Sequence, residues 1–191
     1  MTDQTTLQRL TLAYVIAAET HSGQRRKGSD VTPYINHPAE VARLVSEHGT
    51  PDEVIAAVLH DTVEDGDVTL GDIRRDFGET VADIVEALTN PPDWEGLSRA
   101  EMKDRQAEHM ADATLPVKRV KIADQTSNVR DFFRNPGAWD EAAAREYIDG
   151  AERVVDACRG TDALLEHLFD HAVAEARKAN GLTAPRSGEN A

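Results

Sequence analysis

The segment Val58-Leu59-His60-Asp61-Thr62-Val63-Glu64-Asp65 places an imidazole and three carboxylates inside a stretch whose apolar residues recur at helical spacing. Burying such groups without partners costs several kcal/mol, so they require counter-charges or a metal ion. On a helix continuing through Glu64, that residue lies four positions from His60 and three from Asp61, and Asp65 lies four from Asp61. The spacing predicts that His60 and Asp61 reach one ion at the edge of a face, with Glu64 and Asp65 beside it. Two further polar residues interrupt apolar patterns elsewhere. His37 opens a helix in Tyr34-Ile35-Asn36-His37-Pro38, and Asp124 follows Val120-Lys121-Ile122-Ala123, with Asn128 one turn on. A His–His–Asp–Asp set of mixed nitrogen and oxygen donors suits Mn²⁺, Fe²⁺ or Zn²⁺, and an open coordination position would permit hydrolysis.

Charge narrows the class of substrate. The 191 residues carry 21 Lys+Arg against 35 Asp+Glu, a formal charge of −14, and the pI is near 4.8. Nonspecific nucleic-acid binding needs a basic face, so nucleic acid is not an expected partner. A polyanionic substrate needs a local basic patch or a metal, and Arg25-Arg26-Lys27 is the densest basic cluster present. Cys158 is the only cysteine. That excludes an intrachain disulfide and a cysteine-based zinc site, and Cys158 reads as a small buried apolar residue. The start of the chain lacks a signal-peptide pattern, and no apolar run is long enough to span a membrane. A cytoplasmic location is therefore expected.

The elements that must position these groups read as helix after helix, an all-α fold of about eight to nine helices in one domain over residues 1–179, with a disordered tail over 180–191. Leu7, Leu10, Tyr14, Ala17 and Ala18 mark the first helix, ended by Gly23. The second continues from Pro38 toward Gly49, and the third from Pro51 to about Glu64. Thr69 with Asp72, and Ser98 with Glu101, read as capping boxes that open two more. Asn90-Pro91-Pro92-Asp93 breaks the chain, and Trp94 in the loop that follows reads as core packing. The helix bearing Val117, Val120, Asp124 and Asn128 ends before Asn135-Pro136-Gly137, and two more helices fill 138–158 and 162–178.

The order His37, His60-Asp61, Asp124 resembles the HD superfamily of metal-dependent phosphohydrolases. The longer blocks His21-Ser22-Gly23-Gln24-Arg25-Arg26-Lys27-Gly28, Pro33 to Pro38, His60 to Asp65, and Val120 to Asp124 with Asn128-Val129-Arg130 resemble the hydrolase domain of Rel/Spo homologues. In length the chain is similar to the small alarmone hydrolases, which act in the stringent response. The resemblance implies His37, His60, Asp61 and Asp124 as metal ligands, with Mn²⁺ the usual ion and other divalent ions acceptable. It implies Glu64 and Asp65 as the catalytic pair, and Arg26, Lys27 and Asn128 as nucleotide contacts; Arg130, in the same block, is set with them. The implied reaction removes the 3′-pyrophosphate from (p)ppGpp, giving GDP or GTP and pyrophosphate.

In physical terms Glu64 would take a proton from water while Asp65 orients it. The stretch Gln125-Thr126-Ser127 departs from the family's basic-then-apolar run, and the loop Gly28 to Thr32 is longer than in many relatives. These departures keep open another nucleotide, such as (p)ppApp or NADPH, or a nucleotide-binding regulator without turnover. Lys121, one turn before Asp124, is the best placed of the nearby lysines to face the site. Lys103 and Arg105 read as a solvated helix face, His167 and His171 as a structural pair, and His48 as a residue favoured at a helix C-terminus. The sequence carries no measure of oligomeric state.

Overall fold

Ten α-helical segments form among the described residues, most where apolar residues recur at helical spacing, and five of them open on a side-chain cap. The computed structural model describes residues 3–182: α1 Asp3–Thr20, α2 Asn36–Val45, α3 Pro51–Leu59, α4 Thr62–Asp65, α5 Leu70–Phe77, α6 Glu79–Leu88, α7 Arg99–Ala111, α8 Leu115–Arg134, α9 Glu141–Asp156 and α10 Ala163–Ala179. Nine of these have eight residues or more, and α4 is a single turn of four. Among the described residues the only β-type pairing is an antiparallel bridge between Arg25 and Pro33. No described helix is long and apolar enough to cross a membrane.

The caps follow the sequence. Thr50 and Glu53 form a capping box ahead of α3, Thr69 and Asp72 ahead of α5, and Ser98 and Glu101 ahead of α7. Each satisfies two backbone N–H groups that a helix start leaves open. At the other end of the fold, Gly181 has φ +67°, the Leu182 N–H donates to the Arg177 carbonyl at 2.8 Å, and Leu182 is buried. The chain expected to be free from residue 180 thus begins with a closed helix cap; residues 183–191 lie outside those described.

The long helix α8 runs through the middle, packed on α2, α3, α6, α9 and α10. Its apolar stripe, Val117, Val120, Ile122, Ala123, Val129 and Phe132, is buried, but so are Lys121, Asp124, Gln125, Thr126, Ser127 and Asp131. A central helix with a polar inner face can be stable only if those groups find partners. Finding those partners locates the site. Cys158 is fully buried as expected, its thiol pushed up to about 11 by burial.

Candidate active site

The helix expected to continue to Glu64 is broken. Helix α3 ends at Leu59, His60 keeps helical angles, and Asp61 sits at φ −97°, ψ −5°, a turn conformation from which α4 restarts. Thr62 Oγ1 donates to the Leu59 carbonyl at 2.7 Å, occupying one of the carbonyls released. The break frees the Asp61 carboxylate from the helix surface. It accepts a hydrogen bond from Tyr34 Oη at 2.7 Å and lies 3.2 Å from His60 Nε2 and 3.5 Å from His37 Nε2.

The four residues expected to bind metal converge. His37, on the first turn of α2, and His60 are both buried, and their Nε2 atoms face each other at 3.2 Å. Asp124 Oδ1, from α8, lies 3.4 Å from His37 Nε2 and 3.9 Å from His60 Nε2. His37, His60 and Asp61 each offer an atom within 4.8 Å of the others, and Asp124 joins through the two imidazoles. Adjacent ligands about 2.1 Å from an octahedral ion stand about 3 Å apart, close to these separations.

The chemistry of the donors tests the fit. His60 Nδ1 contacts the Ala57 carbonyl at 2.8 Å, an interaction it can make only as a donor. A neutral His60 therefore turns a bare Nε2 toward the Nε2 of His37, which is unfavourable without a cation between them. Burial lowers the pKa of His60, but Asp61 and Asp124 more than offset it and hold it at about 9. Burial would raise both carboxyls, yet His60 keeps Asp61, and Lys121 keeps Asp124, well below the usual range. The cluster is built to surround positive charge, and a divalent ion fits it.

Glu64 and Asp65 both reach the wall of a cavity of about 590 Å³ next to this cluster. Glu64 Oε1 accepts from the Asn90 backbone N–H at 2.5 Å and Oε2 from Asn90 Nδ2 at 3.3 Å, while Asn90 Oδ1 accepts from Gln106 at 3.0 Å. Burial raises both carboxyls; Asn90 lowers Glu64 in part, and the charge of Asp61 raises Asp65 further. Asp65 Oδ2 lies 3.7 Å from Nδ1 of His21, whose ring packs against Tyr34. A carboxyl raised toward neutral pH is better suited to accept a proton from water.

Several cations also line the cavity, among them Arg26, Lys27, Lys103 and Lys121. Arg26 reaches it despite the longer loop, because the loop folds back on itself: Arg26 N–H donates to the Thr32 carbonyl at 3.0 Å, and Ser29 Oγ to Thr32 Oγ1 at 2.8 Å. Gly28, at φ +78°, lets the loop approach the segment between α8 and α9, where a Cβ would meet Ala138 Cβ at 2.9 Å. The Arg26 guanidinium donates through Nε to Asp131 Oδ2 at 2.9 Å and through Nη2 to Asn128 Oδ1 at 2.7 Å, with Nη2 also paired with Asp131 at 2.8 Å. Asn128 Nδ2 donates in turn to Asp124 Oδ1 at 2.6 Å. Lys27 is exposed at the rim, and Lys121 Nζ sits 3.3 Å from Asp124 Oδ2.

Three expectations are corrected. Arg130 does not line the cavity; it binds Glu40 at 2.7 Å on the other side of α8, because two residues along a helix turn it about 200° from Asn128. Lys103 is buried rather than solvated. Its Nζ donates to Gln125 Oε1 at 2.6 Å and lies 4.7 Å from the centre of the Tyr147 ring. Gln125 Nε2 carries the contact on to Asp124 Oδ2 at 2.8 Å. The signal for Lys103 was its register with Ala107 and buried Met110, together with Gly150 in mid-α9, where a Cβ would meet Lys103 Cγ at 2.8 Å. Trp94 is half-buried against His109 rather than in the core.

Tyr34, Gln125, Trp139 and Tyr147 also line the cavity and were not singled out from sequence as site residues. Arg105 pairs with Glu108 on an exposed face as expected. His48 contacts the Asp162 carboxylate at 3.0 Å, and His167 and His171 are exposed.

Comparison with known proteins places these features in context. The HD domain family matches residues 13–149. The guanosine-3′,5′-bis(diphosphate) 3′-pyrophosphohydrolase MESH1 of Xenopus tropicalis is 45% identical over 159 residues, covering 81% of this chain and 87% of the relative. That of Homo sapiens is 41% identical over 171 residues, covering 87% and 92%. A solved structure described as a metazoan ortholog of SpoT that hydrolyzes ppGpp superposes with a TM-score of 0.79 at 33% identity, over 87% of this chain and 94% of the other.

Proposed function

This chain belongs to the HD domain family, and from that premise we propose that it hydrolyses the 3′-pyrophosphate of (p)ppGpp to GDP or GTP and pyrophosphate. The observation that carries the reading is the convergence of His37, His60, Asp61 and Asp124 beside Glu64 and Asp65, next to a cavity whose wall also carries Arg26, Lys27, Lys103 and Lys121. Relatives that bear the name of this activity match over most of their length.

His37, His60, Asp61 and Asp124 would hold the ion, and we take Mn²⁺ as the ion because donors of mixed nitrogen and oxygen suit it. A divalent ion supplies Lewis acidity, making water a better nucleophile near neutral pH and offsetting phosphate charge. Glu64 accepts the proton of the attacking water, and Asp65 orients that water. The water oxygen bonds to the phosphorus carried on the ribose 3′-oxygen, the bond between that phosphorus and the 3′-oxygen breaks to release pyrophosphate, and the proton taken by Glu64 passes to the 3′-oxygen to give the free hydroxyl. Lys103, Lys121 and Arg26 hold phosphate oxygens, where charge-assisted hydrogen bonds are strongest. Asn128, already bridging Arg26 and Asp124, fixes the guanidinium at the nucleotide. The Trp139 ring, stacked on Phe132 at 4.9 Å with the Arg99 guanidinium 5.7 Å from its centre, adds an apolar part to the cavity wall.

Product analysis of the purified chain tests this. With Mn²⁺, ppGpp is expected to give GDP and intact pyrophosphate, and chelator to abolish release. Release of orthophosphate, or turnover of ppApp or NADPH with ppGpp untouched, would move the reaction to another phosphohydrolase. Retention of nucleotide without turnover in metal-loaded protein would make the chain a binding module.

A further inference from the structure

Behind His37, on the side of α8 away from the cavity, lies a set of polar groups that the hydrolytic reaction does not use. His37 Nδ1 is 3.0 Å from Ser127 Oγ, and Ser127 Oγ donates to Glu40 Oε2 at 2.9 Å. Glu40 is gripped by Arg130 Nη1 at 2.7 Å and by Arg134 through Nη1 at 2.7 Å and Nη2 at 2.6 Å. Ser127 and His37 are almost completely buried. We propose that Ser127 and Glu40 are positioning residues for the metal centre, a two-step relay that fixes the tautomer and aim of His37.

The argument is one of proton counting. Burial would raise Glu40, but Arg134, Arg130 and Ser127 hold it at about 2, so it is a carboxylate and can only accept. Ser127 has one hydroxyl proton, and Glu40 takes it. The hydroxyl then faces His37 with a lone pair alone, and His37 must supply the proton of that contact from Nδ1. A neutral His37 with its proton on Nδ1 leaves Nε2 bare and pointed at His60 Nε2 and the two aspartates. That is the form in which an imidazole can bind an ion.

The two arginines complete the device. Glu40 lies three residues after His37 on α2, and Ser127 three after Asp124 on α8, so the two helices that each bring a ligand are tied together behind it. Lost guanidinium contacts would release the carboxylate to swing or to take a proton, and the direction of the Ser127 hydroxyl would no longer be imposed. Arg130 thus acts at a distance from the nucleotide.

This inference rests on the reading of His37 as a metal ligand, and the test separates the two. Chelator-stripped protein is titrated with Mn²⁺, with free ion followed by its EPR signal, for the parent, Ser127→Ala, Glu40→Gln and His37→Ala. Outer partners of metal-bound histidines are worth about ten- to hundredfold in affinity. Ser127→Ala is expected to lose that much, with the melting temperature of the metal-free protein close to that of the parent. Glu40→Gln is expected to weaken binding as well, because its amide can donate to Ser127 and reverse the hydroxyl.

Long-range ¹H–¹⁵N spectra of the metal-free parent are expected to show His37 protonated at Nδ1, and a mixture of tautomers in Ser127→Ala. Parent-like Mn²⁺ affinity in Ser127→Ala and Glu40→Gln, with loss in His37→Ala, would overturn the relay and leave the ligand assignment standing. Parent-like affinity in His37→Ala would overturn the ligand assignment itself. Should Ser127→Ala fail to fold, an Nε2-protonated His37 in the parent would still refute the relay.

Discussion

Lys103→Met is expected to make the protein more stable near neutral pH and a poorer enzyme. Burial brings the Lys103 ammonium from 10.5 down to about 7, against the opposing pull of Asp124. The unfolded chain keeps this proton up to its ordinary value while the folded chain releases it near 7. Raising the pH between those values therefore favours the folded state, and the cost of lysine falls as pH rises. At about 1.4 kcal/mol per pH unit, that cost is on the order of 4 kcal/mol near pH 7 and about 1 kcal/mol near pH 9.5. Methionine avoids it but leaves Gln125 Oε1 without its donor, at about 1–3 kcal/mol, and forfeits the contact with Tyr147, at about 1 kcal/mol.

The net expectation is a gain of roughly 1 kcal/mol near pH 7, or about 2–4 °C in Tm for a chain of this size. That gain reverses to a loss near pH 9.5. With ppGpp, kcat/KM should fall about 10- to 150-fold, since a hydrogen bond from a charged donor is worth about 1.5–3 kcal/mol. Melting curves at both pH values, beside initial rates, read both arms. A stability difference independent of pH would refute the account of Lys103 as a strained buried cation, and unchanged kcat/KM would remove it from the substrate.

Glu64→Gln should bind Mn²⁺ like the parent while losing about 10²- to 10⁴-fold in turnover; near-parental rates would take the general-base role from Glu64. His60→Ala should lose ion and turnover together, read by equilibrium dialysis and product release, and a loaded, active variant would undo the ligand assignment. Arg26→Lys keeps a charge but cannot span Asp131 and Asn128 as the guanidinium does. It should raise KM more than it lowers kcat, and steady-state kinetics with unchanged KM would show that Arg26 serves the fold rather than the nucleotide.

Much of this site is legible in sequence, and for definite reasons. A histidine or aspartate inside an apolar period is costly without a partner, so His37, His60, Asp61 and Asp124 stand out in the sequence itself. The caps at Thr69 and Ser98 are legible because a short side chain with a carboxylate three residues on has few other uses. What was hidden turned on contacts between segments far apart in sequence, even where, as at Lys103, the helical register carried a signal of burial. The break at Asp61 accompanies a hydrogen bond to its carboxylate from Tyr34, 27 residues away. Lys103 looked solvated because its aliphatic stem crosses α9 only where Gly150 leaves room, a fact of packing between two helices. Arg130 travelled with Asn128 in one motif although a helix cannot put both on one side.

Helix α8 turns Lys121, Asp124, Gln125 and Asn128 to the cavity, and Ser127, Arg130 and Arg134 to the clamp behind His37. A single residue inserted within it would rotate everything downstream by about 100° relative to everything upstream, sending Asn128 out of the cavity and Ser127 away from His37 at once. Substitutions along α8 can be absorbed one contact at a time, but a change in its length cannot. The folded-back loop at Gly28 to Thr32 carries no such phase, and a residue gained or lost there shifts only its own turn. The register of α8 is therefore the dimension in which this enzyme has least freedom to vary, and a deletion scan would find it the least forgiving stretch of the chain.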